Sequence, residues 1–203
     1  RPRKLHVGML NIVTQPHTPQ GYLDLFQLAL NHPIKMGGDH RAVVGTWSPI
    51  EENDPIEGIQ GYIFRYTEID MDGAWLDTIT KKKIDPEELE KLVKVPENVK
   101  PGFSSIWFNF YPKTHRLVFE VETKDYTTGK PASFAPSTAQ LFFQRLFNRI
   151  IHKTNFTTIK VTIVQSHETL KKIFSLPSLQ KLEIVINKPN PNDGTFEEQI
   201  ARQ

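Results

Sequence analysis

The sequence predicts an α+β fold, in which a mixed β-sheet carries helices mainly on one face. Alternating apolar segments are typical of strands, and apolar stripes at helical spacing lie between them. The clearest region runs from Ser104 to Lys188 and has the order strand, strand, helix, strand, helix, strand. Because a strand, a helix and a strand in succession favour a parallel crossover, this order predicts split βαβ units of the ferredoxin-like kind.

The first hundred residues contain three predicted strands and two predicted helices. Alternating apolar positions predict strands over Leu5–Thr14, Arg41–Ile50 and Ile59–Ile69. The stripe in Tyr22–Leu30 predicts a helix that Pro33 ends. Asp85 and Pro86 predict the start of a short second helix. The order becomes βαββαβ if Phe103–Tyr111 is its last strand.

The second half begins with a predicted hairpin. Ile106, Phe108 and Phe110 share one strand face, and the chain turns at Pro112 into a second alternating strand. Pro136 and Ser137 predict the start of an amphipathic helix, with Ser137 as its cap. Further elements are predicted in the order strand, short helix, strand, over Thr157–Gln165, from Ser166 or His167, and over Leu182–Ile186.

Two portions, 1–102 and 103–191, are predicted to form one continuous globular unit. Residues 192–203 begin a further helix, since Thr195 and Glu198 have the spacing of a capping box. A helix of so few residues is marginal by itself. We therefore expect the natural chain to continue beyond Gln203.

Composition excludes several function classes. The 203 residues include no cysteine, which excludes disulfides and thiolate chemistry and is typical of a reducing compartment. No apolar run approaches the roughly 20 residues that a membrane helix needs. The net charge of +2 is too small for a protein dedicated to nucleic acid, so any basic footprint must be local. We expect a cytoplasmic protein without a membrane partner.

One pattern points to an enzyme. Glu120, Glu122 and Lys124 end a predicted strand, and the last two match the (D/E)xK half of a divalent-metal nuclease motif. In such a site the acid binds Mg²⁺ or Mn²⁺ and the lysine positions water or offsets phosphate charge. The preceding strand offers Asn109 where that motif wants an aspartate. Solvated strand ends are also commonly rich in Glu and Lys, so this pattern has an ordinary explanation.

A second pattern points to nucleic acid. The predicted helix over Ser137–Lys153 has a polar face, whose basic members are Arg145, Arg149, His152 and Lys153. Lys35 and Arg41 flank a Gly37-Gly38 segment that permits an anion-binding nest. Cations can contact phosphates, but a helix that covers a sheet also needs a solvated face. The glycine segment likewise fits a plain loop, because phosphate sites run from strand to helix.

Other motifs point to neither metal nor nucleotide. The seven histidines lack the close spacing of zinc ligands, and no phosphate-binding glycine loop or nucleophile elbow occurs. We expect no cofactor, unless the nuclease alternative brings Mg²⁺ or Mn²⁺. Trp107, Phe108, Phe110 and Tyr111 have the composition of a base-stacking platform, although such a strand also needs aromatics to fill cores on both sides.

Several segments together resemble an uncharacterised prokaryotic family that is classed only as a domain of unknown function. The resemblance is carried by Tyr22–Phe26, Gly61–Tyr66, Phe134–Ala139 and Ile159–Gln165. It covers most of the chain and implies no catalytic residues. It implies an association with phage-defence or mobile-element loci.

Three functions therefore compete. The first is a non-catalytic cytoplasmic module that recognises RNA, DNA or a protein partner, and it rests on the fold order and the cationic helix face. The second is a divalent-metal nuclease that uses Glu120, Glu122 and Lys124. The third is a scaffold that self-associates.

Overall fold

The computed structural model describes residues 5–94, 96–124, 129 and 131–165. The described residues up to Val164 belong to one compact unit, and Gln165 begins a second. The predictions for Ser166 onward, including the last helix and strand, lie outside the described residues.

The described strands and helices follow in chain order. The first portion contains β1 (Val7–Gln15), α1 (Pro19–Ala29), β2 (Ile34–Gly37), β3 (His40–Glu51), β4 (Asp54–Thr67), β5 (Trp75–Leu76), β6 (Lys83–Ile84) and α2 (Pro86–Leu92). The second contains β7 (Ser104–Tyr111), β8 (Arg116–Glu120), β9 (Glu122–Lys124), β10 (Pro131–Ser133), α3 (Pro136–Ile150) and β11 (Thr158–Ile163). The α+β class is thereby confirmed. None of the described helices is long and apolar enough to cross a membrane.

The main sheet has seven described strands in the order β11-β1-β8-β7-β4-β3-β2. Every neighbouring pair in it is antiparallel, so the expected mixture of parallel and antiparallel neighbours is not found there. Since β8 and β11 both run antiparallel to β1, they are parallel to each other with β1 between them. The helix α3 joins these two strands, so the predicted crossover skips one strand position. The β5–β6 and β9–β10 pairs form two small separate sheets.

The core lies between one face of this sheet and the helices α1 and α3. Phe26 of α1 is fully buried, and its ring centroid lies 4.7 Å from that of Phe110 and 5.9 Å from that of Phe147. Phe108 and Phe143 complete the cluster. Offset and edge-to-face aromatic pairs of this kind add to the free energy gained by burying apolar area. The opposite sheet face, called the open face below, is turned away from both helices.

The helix α1 is longer at its start and shorter at its end than the sequence predicts. The hydroxyl of Thr18 accepts a hydrogen bond from the Gly21 amide at 3.0 Å, so the helix begins three residues before Tyr22. Leu30 is already extended, and Asn31 has a left-handed φ of 59°. The helix thus ends at Ala29, before the chain reaches Pro33.

The predicted cap of α3 is wrong by two residues. The helix begins at Pro136 with Ala135 at the N-cap position, and no side chain caps it. Proline at the first helical position needs no hydrogen-bond partner for its nitrogen and has the right φ already. Ser137 is therefore inside the helix.

The segment expected as a glycine loop is a hairpin. The strand β2 pairs with β3 across a turn, where Gly38 has a left-handed φ of 51°. The sequence predicted a helix, a loop and a strand here. It did not reveal β2, because this strand has only four residues and is stabilised by its pairing with β3.

Candidate functional site

The helix α3 contacts both edge strands of the main sheet, β2 and β11. On the β11 side, the amide of Gln144 donates to the Ile159 carbonyl at 3.0 Å and accepts from the Val161 amide at 2.9 Å. Gln140 donates to the Val161 carbonyl at 3.0 Å. Among the described strands β11 has a partner on one side only, and these side chains give backbone groups of its other edge hydrogen-bond partners.

Two of the predicted nucleic-acid ligands are held on the β2 side. Arg145 donates to the carbonyl of Lys35 at 2.8 Å, and Arg149 donates to the carbonyl of Pro33 at 3.1 Å. Both side chains are exposed. Since a guanidinium has five N–H donors in a fixed plane, each arginine keeps donors beyond the one that its carbonyl uses. The arginines therefore have fixed positions and spare hydrogen-bonding capacity.

Lys153 extends this basic surface past the end of α3. Its ammonium lies 3.3 Å from Nε2 of His32, and Nδ1 of the same imidazole lies 2.9 Å from the Leu30 carbonyl. This geometry fits a neutral His32 that donates through Nδ1 and accepts from Lys153 through Nε2. His152 is exposed beside it in a 3₁₀ turn. The name cationic ridge is used for Arg145, Arg149 and Lys153.

The cationic ridge lacks acidic partners in the part of the chain that the structure describes. The ion pairs found there involve other cations, namely His6, Arg41, Lys100 and Lys113. Two of the ridge cations also lie near the C-terminus of α3, where the helix dipole favours positive charge. The helix dipole thus stabilises part of this positive charge, and no carboxylate of the described residues forms an ion pair with it.

The side chains of Lys35 and Arg41 are directed away from the cationic ridge, although the Lys35 carbonyl contacts Arg145. They are cross-strand partners on β2 and β3, and their side chains alternate with that of buried Ile34. Alternation therefore directs both toward the open face. Arg41 also lies 3.8 Å from a Glu68 oxygen, and Lys100 lies 2.5 Å from the other. The six basic residues named from the sequence thus form two groups on different faces, and their role in binding nucleic acid stays a prediction.

The predicted nuclease residues lie at the end of β8 and in β9. Glu120 is half-buried on β8, and Glu122 is exposed with its carboxylate 3.1 Å from Nδ1 of His6. Lys124 ends β9, and its side chain lies outside the described residues. The acid and lysine are thus near each other in the chain, but their joint geometry is not defined, so the nuclease site stays a prediction.

Asp70 and Asp77, which precede the predicted nuclease residues in the chain, form hydrogen bonds within turns. Asp70 accepts from the Asp72 amide at 3.1 Å, and Asp77 accepts from the amides of Ile79 and Thr80 at 2.7 and 3.1 Å. The hydrogen bonds from Thr80 and Ile79 hold the pKa of Asp77 below its usual value. Among the described residues no group of three or more His, Asp or Glu side chains is placed to hold a metal ion.

The predicted aromatic platform is divided between two faces. Phe108 and Phe110 are fully buried against the helices, as the core-filling alternative expects. Trp107 and Tyr111 alternate with them and lie half-buried on the open face. A cleft of about 250 Å³ lies on that face beside Trp107 and Tyr62. Tyr62 was not anticipated, and only its pairing with Trp107 reveals it.

The sequence did not predict a cluster of three rings, formed by His17, His115 and Tyr22. The rings of His17 and His115 lie 4.0 Å apart, and both lie 5.4 Å from the ring of buried Tyr22. His17 and His115 are far apart in the chain, so no local spacing could signal their contact.

A family model matches residues 3–203 of the chain, and its description is a domain of unknown function, DUF4747. Since the match covers nearly the whole chain, the protein belongs to this family, as the four segments named above led us to expect. No curated protein and no solved structure is similar enough to give a match.

Proposed function

We propose that this DUF4747 domain is a cytoplasmic, non-catalytic module that binds RNA or DNA through its cationic ridge. We also propose that it acts within a prokaryotic phage-defence or mobile-element system. The observation that carries the binding proposal is the fixed pair Arg145 and Arg149. Each guanidinium is anchored by a backbone carbonyl and has no carboxylate partner in the described part of the chain.

The anchoring favours phosphate recognition for two reasons. An arginine that is already held in place loses less conformational entropy on binding than a free one. Its planar array of donors can also meet two oxygens of one phosphate. Positions 145 and 149 are one helical turn apart, which places them about 6 Å apart along the axis of α3. Lys153 continues the row by another turn. The result is a line of positive charge suited to a polyanion.

The fold gives this proposal a second, weaker support. We infer that β11-β1-β8-β7 with α1 and α3 is a ferredoxin-like unit, which β4, β3 and β2 extend at one edge. The strand order and the crossover through α3 support that inference. Ferredoxin-like sheets serve several known RNA-binding modules, although fold analogy alone does not establish a ligand.

The test neutralises the ridge one charge at a time. Arg145→Gln, Arg149→Gln and Lys153→Gln are compared with Lys113→Gln, which removes a cation paired with Glu57 instead. Fluorescence anisotropy with labelled single- and double-stranded RNA and DNA measures binding across a salt series. Each ridge substitution is expected to weaken binding and to lower the slope of log K against log salt by about 0.7–0.9. Arg→Lys variants should keep most of the salt slope.

Two results would overturn the proposal. One is unchanged binding in the triple Gln variant, provided that its melting temperature shows it to be folded. The other is cleavage of the oligonucleotides with Mg²⁺ or Mn²⁺ that disappears in Glu122→Ala, because that result would favour the nuclease alternative. Light scattering on the same samples reports any self-association, which the scaffold alternative requires.

A further inference from the structure

The cleft on the open face is built around two aromatic rings. Trp107 of β7 and Tyr62 of β4 are direct cross-strand partners. Their neighbours Ile106 and Ile63 are buried on the helix side, so alternation directs both aromatic side chains to the open face. Tyr62 is 45% exposed and Trp107 is half-buried, which leaves aromatic surface uncovered.

Polar side chains surround these rings. Thr46, Ser48 and Gln60 line the same cleft and offer hydroxyl and amide groups that both donate and accept. A ligand that has a flat ring and polar edges would suit both the rings and the rim.

The residues that line the cleft are uncharged, and cations lie farther along the open face on either side of it. Arg116 lies on the open face opposite Tyr111 at the β7–β8 hairpin, and no carboxylate pairs with it in the described ranges. Lys35 lies on the same face at the β2–β3 end of the sheet, next to Arg41, whose charge is shared with Glu68. Cations therefore occur on both sides of the aromatic pair, along the path that a bound strand would take across the sheet.

We infer that this cleft holds an unpaired base of single-stranded nucleic acid, stacked on Trp107 or Tyr62. The inference rests on the proposed function and deepens it, because it specifies single strands over duplexes. Every base presents a π-face, so stacking of this kind tolerates many sequences. A duplex keeps its bases inside and offers the cleft nothing to stack, while its phosphates can still meet the cationic ridge.

The test separates bases from phosphates. A short labelled single strand is compared with a copy that carries abasic sites and with the matching duplex. Trp107→Leu is expected to weaken binding of the intact strand about 5-fold to 100-fold. The same variant should bind the abasic strand and the duplex as the unaltered protein does. Tyr62→Phe keeps its ring and serves as the matched control for Tyr62→Thr.

The outcomes of the two proposals are distinguishable. Loss of affinity for intact and abasic strands alike, or no loss in either aromatic variant, would overturn the base-binding inference. If the ridge variants still weaken binding in that case, the proposed function stands without the inference. If only the aromatic variants matter, the cleft binds bases and the ridge proposal fails. Absence of binding to every oligonucleotide would count against both.

Discussion

The hydroxyl of Tyr22 connects the end of β1 to the start of α1. It accepts from the Thr14 amide at 3.3 Å and lies 3.1 Å from Nδ1 of His17. With the amide donating, the phenol proton is free to go to the imidazole, which must then be unprotonated at Nδ1. Burial lowers the pKa of His17 and raises the pKa of Tyr22. The folded chain thus favours the neutral form of both groups.

This cluster predicts an acid-sensitive stability. Because the pKa of His17 is lower in the folded than in the unfolded chain, its stabilising effect is fully present above about pH 6.5. That contribution decreases as the pH falls below this value, since the unfolded chain then binds a proton that the folded chain refuses. Urea unfolding between pH 7.5 and pH 5 should show a loss of stability that is smaller in His17→Gln.

The comparison has its control in His152→Gln, which changes an exposed imidazole. An equal pH dependence in His17→Gln and the unaltered protein would contradict the assignment of the effect to His17.

At the scale of one element, α3 acts as a brace between two sheet edges. One row of its polar side chains meets β11, and another meets β2. Its apolar stripe, which includes Phe143 and Phe147, fills the core between them. The polar residues of α3 have the composition of an ordinary solvated face. They nevertheless form hydrogen bonds with backbone groups at both edges of the described sheet. This arrangement protects edge strands without lengthening the sheet.

Substitution of the brace residue Gln144 should loosen one edge selectively. Gln144→Ala removes two hydrogen bonds to β11 and leaves the Val161 amide without its partner. We expect a loss of roughly 1–3 kcal/mol in the free energy of unfolding. Hydrogen exchange should show reduced protection of the Val161 amide, while amides at the β3–β4 hairpin keep theirs. Gln27→Ala, on the exposed side of α1, provides the comparison.

Unchanged protection at Val161 would show that the side-chain amide contributes nothing to this edge.

At the scale of the whole molecule, the two portions divided at residue 102 interleave. Within the described sheet β1 pairs with β8 and β11, and both partners come from the later portion. The strands β4, β3 and β2 in turn depend on β7 for their connection to β1. The described parts of the two portions therefore share one sheet and one core.

Separation of the two portions should consequently abolish folding. A fragment of residues 1–102 lacks every described neighbour of β1 and the aromatic residues of β7 and α3 that bury Phe26. We expect it to show no cooperative thermal transition by circular dichroism. Co-expression with residues 103–203 tests whether the two pieces complement each other. A cooperative transition in the isolated fragment would refute the interleaved arrangement.

The sequence predicted most of the regular elements but not their arrangement. Strands such as β1 and β7, and the helix α3, are visible because apolar residues repeat at the period of the structure. The order of strands is not visible, since any alternating strand can pair with any other. The hydrogen bonds that Arg145 and Gln144 form with the edge strands could not be predicted from the sequence either. Their partners, Lys35 and Val161, are backbone groups that no side-chain pattern marks.

The position of β1 between β11 and β8 has a consequence for synthesis. Val7 pairs with Glu120, more than one hundred residues later, and Leu10 pairs with Ile163. During translation, β1 therefore leaves the ribosome long before β8 and β11 have been synthesised. Translation at about 5–20 residues per second gives a delay of roughly 5 to 30 seconds, during which both edges of this apolar strand are unpaired. Chaperones that bind extended apolar segments would find a target in β1 during this interval.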